Sequence, residues 1–255
     1  MSPSTMASPS RPRPAAKRRL ATWVAVATGA MLLTACAPWR MWTTADLARE
    51  ARPYTAQPAQ PARRILVVGD STAVGTGASV PLASLPGLIG HDHPQWRIDN
   101  LAANGARYAD VVAQLQRASA GYDLVLVLAG GNDVIRFTSK DALRSQIEQV
   151  VELAQHRGER VVLMPCGNVG HAPFFIPPLS WAMARRSKSL HEVVSEISAT
   201  RQVGYVRLLK PRDEDPFVAR SKVLNAADGL HPSDAGYQEW YRELVAQGGL
   251  AGLGD

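Results

Sequence analysis

The stretch that decides the fold is RILVVGDSTAVGTG, Arg64 to Gly77: an apolar run that breaks at Gly69 and delivers Asp70, Ser71 and Thr72 into a turn. A short apolar run bounded by turn residues reads as a strand buried on both faces, the kind that parallel sheets contain. The end of such a strand has two uses. Small polar residues there wrap a phosphate, or a hydroxyl is mounted there as a nucleophile. STAVGTG fits the first use and Ser71 the second, so the rest of the chain has to decide.

Working outward, short apolar runs alternate with helical patterns. Strands are expected at about 64 to 69, 96 to 101, 123 to 129, 160 to 165 and 204 to 209. The clearest helix follows TSKD, where Thr138 and Asp141 read as a capping box. Leu143, Ile147, Val150, Val151 and Ala154 share one face of it, and Gly158 stands where it should stop. A last helix begins near Ser233 and carries Tyr237, Trp240, Tyr241 and Leu244 as its apolar stripe. Such alternation predicts a doubly wound α/β sheet of about five parallel strands, whose ligands collect at the carboxyl ends. Ser71, Gly105, Asn132 and Cys166 all fall at or just past those ends.

The front of the chain is of a different kind. The 255 residues carry a formal charge of +6, but Arg11, Arg13, Lys17, Arg18 and Arg19 precede Cys36 with no acid among them. Without that segment the balance is about +1, which gives no charge argument for a nucleic-acid partner. Lys17 to Arg19 are followed by LATWVAVATGAMLLTA, a stretch too short for a spanning helix and suited to a signal-peptide core. LTAC, Leu33 to Cys36, resembles the lipobox of bacterial lipoproteins. That resemblance implies cleavage before Cys36 and acylation of its thiol and new amino group. The expected organisation is a signal peptide at 1–35, the lipidated Cys36 with an Ala/Pro-rich tether at 36–63, and one catalytic domain at 64–255. Apart from a short helix around Thr44 to Ala51, the tether is expected to be a flexible coil averaging roughly 30 Å. The expected place is the bacterial cell envelope, bound to a membrane through Cys36 and facing periplasm or exterior. Cys166 is then the one cysteine left, so no intramolecular disulfide forms, and its place after VVLMP reads as a small buried hydrophobe.

A serine hydroxyl becomes a nucleophile only when a base takes its proton. Of the six histidines, His231 alone has an acid three residues earlier, Asp228 in DGLHPSDAGY. An attacking serine also needs donors where charge develops on the substrate oxygen. AGGND supplies Asn132, and NLAANG supplies the backbone N–H of Gly105. Each feature also has a plain reading, as a turn glycine, a turn asparagine or a capping carboxylate. GDSTA is one residue short of the GxSxG elbow of α/β-hydrolases, which usually place their serine after several strands.

Taken together, GDS at Gly69 to Ser71, NLAANG at Asn100 to Gly105, GGND at Gly130 to Asp133 and DGLH at Asp228 to His231 resemble the four blocks of the SGNH, or GDSL-type, hydrolase superfamily. The likeness runs from 64 to about 245. It implies a three-layer, flavodoxin-like sheet and hydrolysis of carboxylic or thioesters through an acyl-serine. Residue by residue, Ser71 matches the nucleophile and first oxyanion donor, Gly105 and Asn132 the other two donors, and Asp228 with His231 the rest of the triad. Thr72 departs from the family's leucine.

The resemblance implies a small-molecule, lipid or glycan ester as substrate, with no cofactor and no metal; His91 and His93 in HDH read as a loop. A monomer is expected. The alternatives are an acyltransferase or deacetylase on envelope glycans, and a non-catalytic envelope-binding lipoprotein. Phe174, Phe175, Ile176, Leu179, Trp181 and Met183 offer an apolar wall for an acyl chain, or simply core packing. Pro177 and Pro178 argue against a regular helix there, and Arg185, Arg186 and Lys188 read as a solvated helix face.

Overall fold

The structure, a computed structural model, describes residues 39–254. The chain divides into two units, Met1–Trp42 and Thr43–Asp255. Of the first, residues 39–42 are described and are helical. The signal peptide and Cys36 lie outside the described residues.

The second unit is built on five parallel strands: β1 (Arg63–Gly69), β2 (Trp96–Asn100), β3 (Tyr122–Leu128), β4 (Gly158–Leu163) and β5 (Gly204–Tyr205). Their order is β2-β1-β3-β4-β5, the flavodoxin-like arrangement that the family resemblance implies. Ile65 to Val68 and Leu124 to Ala129 have no solvent exposure. These runs are apolar on both faces because helices cover both sides of β1 and β3. Edge strand β2 instead alternates, with Trp96, Ile98 and Asn100 inward and Arg97 and Asp99 less buried. β1 is an inner strand flanked by β2 on one side and β3 on the other, so the chain order reverses there. A crevice at the carboxyl ends of β1 and β3 is the binding place such topology creates.

Helices α1 (residues 43–50), α2 (Ser71–Val74), α3 (Leu85–Asp92), α4 (Tyr108–Arg117), α5 (Gly131–Ile135), α6 (Lys140–Gln155), α7 (Leu179–Arg201), α8 (Pro216–Ala219), α9 (Ser221–Leu224) and α10 (Asp234–Ala246) follow in chain order. α4, α6 and α7 pack side by side, and α3 packs on α10. Right-handed crossovers put these two groups on opposite faces of the sheet, giving three layers.

Several details differ from expectation. The cap of α6 is Ser139, whose hydroxyl accepts from the Ala142 N–H; Thr138 instead donates to Asp133. Gly158 is the first residue of β4 rather than a helix stop, and a Cβ there would stand 2.9 Å from Val125 Cγ2. β5 is two residues rather than six, because after Val206 donates to Leu163 O the chain leaves the sheet toward Pro211. His91 and Asp92 close α3 rather than forming a loop, and His93 stacks on Trp96 at 3.8 Å. α7 begins directly after Pro178, so the prolines set its start without breaking it.

Residues 43–63 are not a free tether. They belong to the folded unit: Ala56 exchanges backbone hydrogen bonds of 3.0 and 2.9 Å with Ile98, and the Tyr54 ring fills the space beside Gly90. α1 is the short helix expected around Thr44 to Ala51.

Candidate active site

β1 ends at Gly69 with φ +146°, and a Cβ there would lie 1.8 Å from Leu128 O. Only glycine lets the chain turn this close to β3. The Gly69 N–H donates 2.8 Å to Gln114 Oε1, and Gln114 Nε2 returns 2.9 Å to Gly69 O. Asp70 donates its backbone N–H to Leu128 O and caps α2, its Oδ1 accepting from Thr72 N and Thr72 Oγ1 at 2.8 and 2.7 Å. Thr72 is thus tied to the cap on Asp70 through both its N–H and its hydroxyl. Ser71 becomes the first residue of a one-turn helix, fixed on both sides.

The second strand end brings the NLAANG loop alongside. Asn100 Nδ2 donates to Ala73 O, and Asn104 Oδ1 accepts from Thr76 Oγ1. Gly105 follows with φ +77°, in the left-handed region. The third end supplies Asn132 at the start of α5, its Nδ2 donating 3.1 Å to Ala106 O, which ties it to the Gly105 loop. Among the described residues, the backbone N–H groups of Ser71 and Gly105 have no acceptor. The sites therefore carry donors held in place and unspent, as an oxyanion requires.

The fourth part comes from the loop before α10. Ala226 N donates to His231 O, Gly229 adopts φ +68°, and Ser233 caps α10. This turn folds Asp228 back on His231: Nδ1 stands 2.6 Å from Asp228 Oδ2, and Nε2 stands 2.8 Å from Ser71 Oγ. Ser71, Asp228 and His231 are 9%, 1% and 7% exposed, so the chain of hydrogen bonds is largely shielded from water. Burial alone would push the Asp228 carboxyl up. The hydrogen bond and charge of His231 and the N–H groups of Leu230 and His231 outweigh it and hold the carboxyl below its ordinary value. With Asp228 ionised, Nδ1 carries the proton and Nε2 is left to accept one from the serine.

The floor beneath is also acidic. Asp133 accepts from Tyr108 N and Thr138 Oγ1, yet burial raises its carboxyl, and burial raises Asp70 in the same way despite the Thr72 bonds. Burial likewise pushes the Cys166 thiol up, which fits its reading as a small hydrophobe. His191 donates to Cys166 O and accepts from Tyr205 OH, and burial pushes it down to about 4. Among the described residues there is no group of three or more His, Cys, Asp or Glu arranged to hold a metal.

The six apolar residues after β4 do not stay together. Phe174 borders the acid loop, its N–H donating 2.9 Å to Gly229 O, and Phe175 packs against it edge-on. Met183 is core, whereas Ile176, Leu179 and Trp181 are exposed. Arg186 is not solvated as expected: its guanidinium lies over Phe137 and donates to Val134 O and Thr138 O. Arg185 and Lys188 are exposed.

Three supporting residues were not singled out from the sequence. Gln114 carried a signal, a polar residue on the same buried helical face as Tyr108 and Val111. Tyr237, whose hydroxyl donates to Thr76 O, reads in the sequence as one member of an apolar stripe. Thr44 had none: its hydroxyl donates 3.2 Å to Asp228 Oδ2 across 184 positions.

The fold and this geometry define a class: doubly wound α/β proteins with a Ser–His–Asp chain at the carboxyl end of the first strand and fixed donors beside it. The chain belongs to the GDSL-like lipase/acylhydrolase family, whose model matches residues 67–239, and it is an ester-hydrolysing enzyme. A search of curated proteins finds no relative. Among solved structures, a Lactobacillus plantarum protein superimposes with TM-score 0.63 at 18% identity, covering 74% of this chain and 97% of its own. The extracellular lipase of Streptomyces rimosus is similar at TM-score 0.54 and 17% identity, covering 72% and 99%. An acetyl xylan esterase from Geobacillus stearothermophilus is similar at TM-score 0.53 and 20% identity, covering 73% and 94%. At these identities the likeness is one of fold.

Proposed function

We propose that the protein is a serine esterase of the bacterial cell envelope, working through an acyl-Ser71 intermediate and anchored by lipid on Cys36. The observation that carries the chemistry is the Asp228–His231–Ser71 chain, with its 2.6 and 2.8 Å links.

As Ser71 Oγ attacks the ester carbonyl carbon, its proton passes to His231 Nε2, and Asp228 stabilises the imidazolium. The carbonyl oxygen becomes an oxyanion, received by Ser71 N–H, Gly105 N–H and Asn132 Nδ2. Collapse breaks the bond to the alcohol oxygen, which takes the proton from His231 and leaves, giving acyl-Ser71. Water then gives a proton to His231 and attacks the acyl carbon; the second collapse returns that proton to Ser71 and releases the carboxylic acid.

Envelope location rests on the basic stretch, the apolar stretch and LTAC at the front of the chain. Labelling with a serine-directed fluorophosphonate tests the chemistry: the folded protein is expected to form an adduct that Ser71→Ala abolishes, and an adduct that persists counts against it. For the anchor, Cys36→Ser is expected to abolish incorporation of labelled palmitate, and persistence removes Cys36 as the site.

A further inference from the structure

We propose that Thr44 is a positioning residue for Asp228, so that helix α1, which precedes the family segment, is part of the catalytic machinery. The proposal rests on reading Asp228 as the triad acid. An ionised carboxylate offers about four lone-pair positions. Oδ1 accepts from Leu230 N and His231 N at 2.9 and 3.1 Å, and Oδ2 accepts from His231 Nδ1. All three donors come from the acid's own loop, and they leave the outer side of Oδ2 to be satisfied. The Asp228 side chain has no solvent exposure, so solvent is kept from that position. Thr44 Oγ1 occupies it, at 3.2 Å.

α1 is held where it can do this. One turn beyond Thr44, Ala48 O accepts 2.7 Å from Asn104 Nδ2, the side chain just before Gly105. Asn104 is in turn bonded to Thr76, close after the Ser71 helix. Downstream, Tyr54 and Ala56 fix the chain on α3 and β2. The helix therefore bridges the acid loop and the Gly105 loop, and sets the direction in which the carboxylate faces the imidazole. Asp228 is fixed from both sides, by its own turn and by α1. Loss of the outer donor leaves a buried oxygen short of one partner and lets the carboxylate rotate away from His231 Nδ1.

The test compares full-length wild type with Thr44→Val, Thr44→Ser and Ser71→Ala, following p-nitrophenyl acetate hydrolysis across pH together with Tm. Thr44→Val is expected to lower kcat about tenfold, the weak end of a hydrogen bond to a charged group, with KM unchanged. The acid limb of its pH profile is expected to move downward, since a carboxylate turned away from Nδ1 no longer favours the charged imidazole. Thr44→Ser is expected to restore both. Should Thr44→Val fail to fold, Thr44→Ala provides the same hydroxyl deletion. The proposal is overturned if the valine variant keeps the wild-type kcat and pH profile while Ser71→Ala is inactive. It is overturned too if Thr44→Ser is as slow as Thr44→Val at native Tm, which would make the role one of packing. A rise in kcat/KM would overturn it in favour of α1 acting as a lid. Turnover retained by Ser71→Ala would instead remove the triad reading itself, and the role of Thr44 with it.

Discussion

His231 Nε2 lies 2.8 Å from Ser71 Oγ, although 160 positions separate the two residues in the chain. Two loops from opposite ends of the folded chain meet there, and each is fixed by its own turn: Ser71 by the capped turn after β1, His231 by the Asp228 turn before α10. Gly77 joins them, since a Cβ there would stand 2.4 Å from Pro232 O. The meeting is a product of packing, so substitutions that spare the packing are expected to separate chemistry from folding.

Asp228→Asn is the sharpest of these. The amide keeps the size of the side chain but favours the wrong imidazole tautomer. We expect kcat for an aryl ester to fall by roughly three to four orders of magnitude. A variant of native Tm that retains full kcat would contradict the assigned role.

Asn132→Ala removes one donor beside Ser71 while leaving the triad intact. Its loss is expected to lower kcat by about a hundredfold or more with little change in KM. Steady-state kinetics on the same ester decide it, and an effect confined to KM would make Asn132 a binding residue instead.

Gly69→Ala probes the turn itself. The added Cβ has to pass 1.8 Å from Leu128 O at φ +146°. Both the clash and the backbone angle oppose it, and a loss of more than about 4 kcal/mol is expected. Denaturant unfolding measures this; a variant of near wild-type stability would mean that the β1–β3 turn is adaptable.

Asp70→Asn tests the acidic floor. Burial raises the folded-state carboxyl of Asp70 above its unfolded value. Its stabilising contribution is therefore present below about pH 4 and is lost as pH rises through the folded value. Asparagine keeps the Thr72 cap without the charge. The variant's Tm is expected to exceed wild type at pH 7 and to match it near pH 4. A Tm difference independent of pH would show that the charge of Asp70 is not what limits stability.

The sheet was legible because β1 and β3 are buried on both faces, and a continuous apolar run is a strong signal. The meeting of Ser71, Asp228 and His231 within hydrogen-bond reach was legible for a similar reason. Each sits in a short block whose turn is encoded nearby. β5 is shorter than expected since VRLL keeps a strand's alternation after leaving the sheet: Val206 and Leu208 are buried, but in loop packing rather than strand pairing. Arg186 was misread because nothing in its own helix announces Phe137, which approaches from another element. The contact of Thr44 with Asp228 is the extreme case, a single hydroxyl acting across 184 positions. No periodicity or spacing records such a pair.

That contact shortens a leash. Had residues 37–63 been free coil, those 27 residues would let the enzyme stray up to about 90 Å from a lipid on Cys36. With α1 docked, Thr43 lies seven residues beyond Cys36, and the stretch between them spans at most about 25 Å. An acylated Cys36 would keep the enzyme's folded unit tethered within that reach of the membrane. Its effective substrate concentration would then be counted per area of membrane.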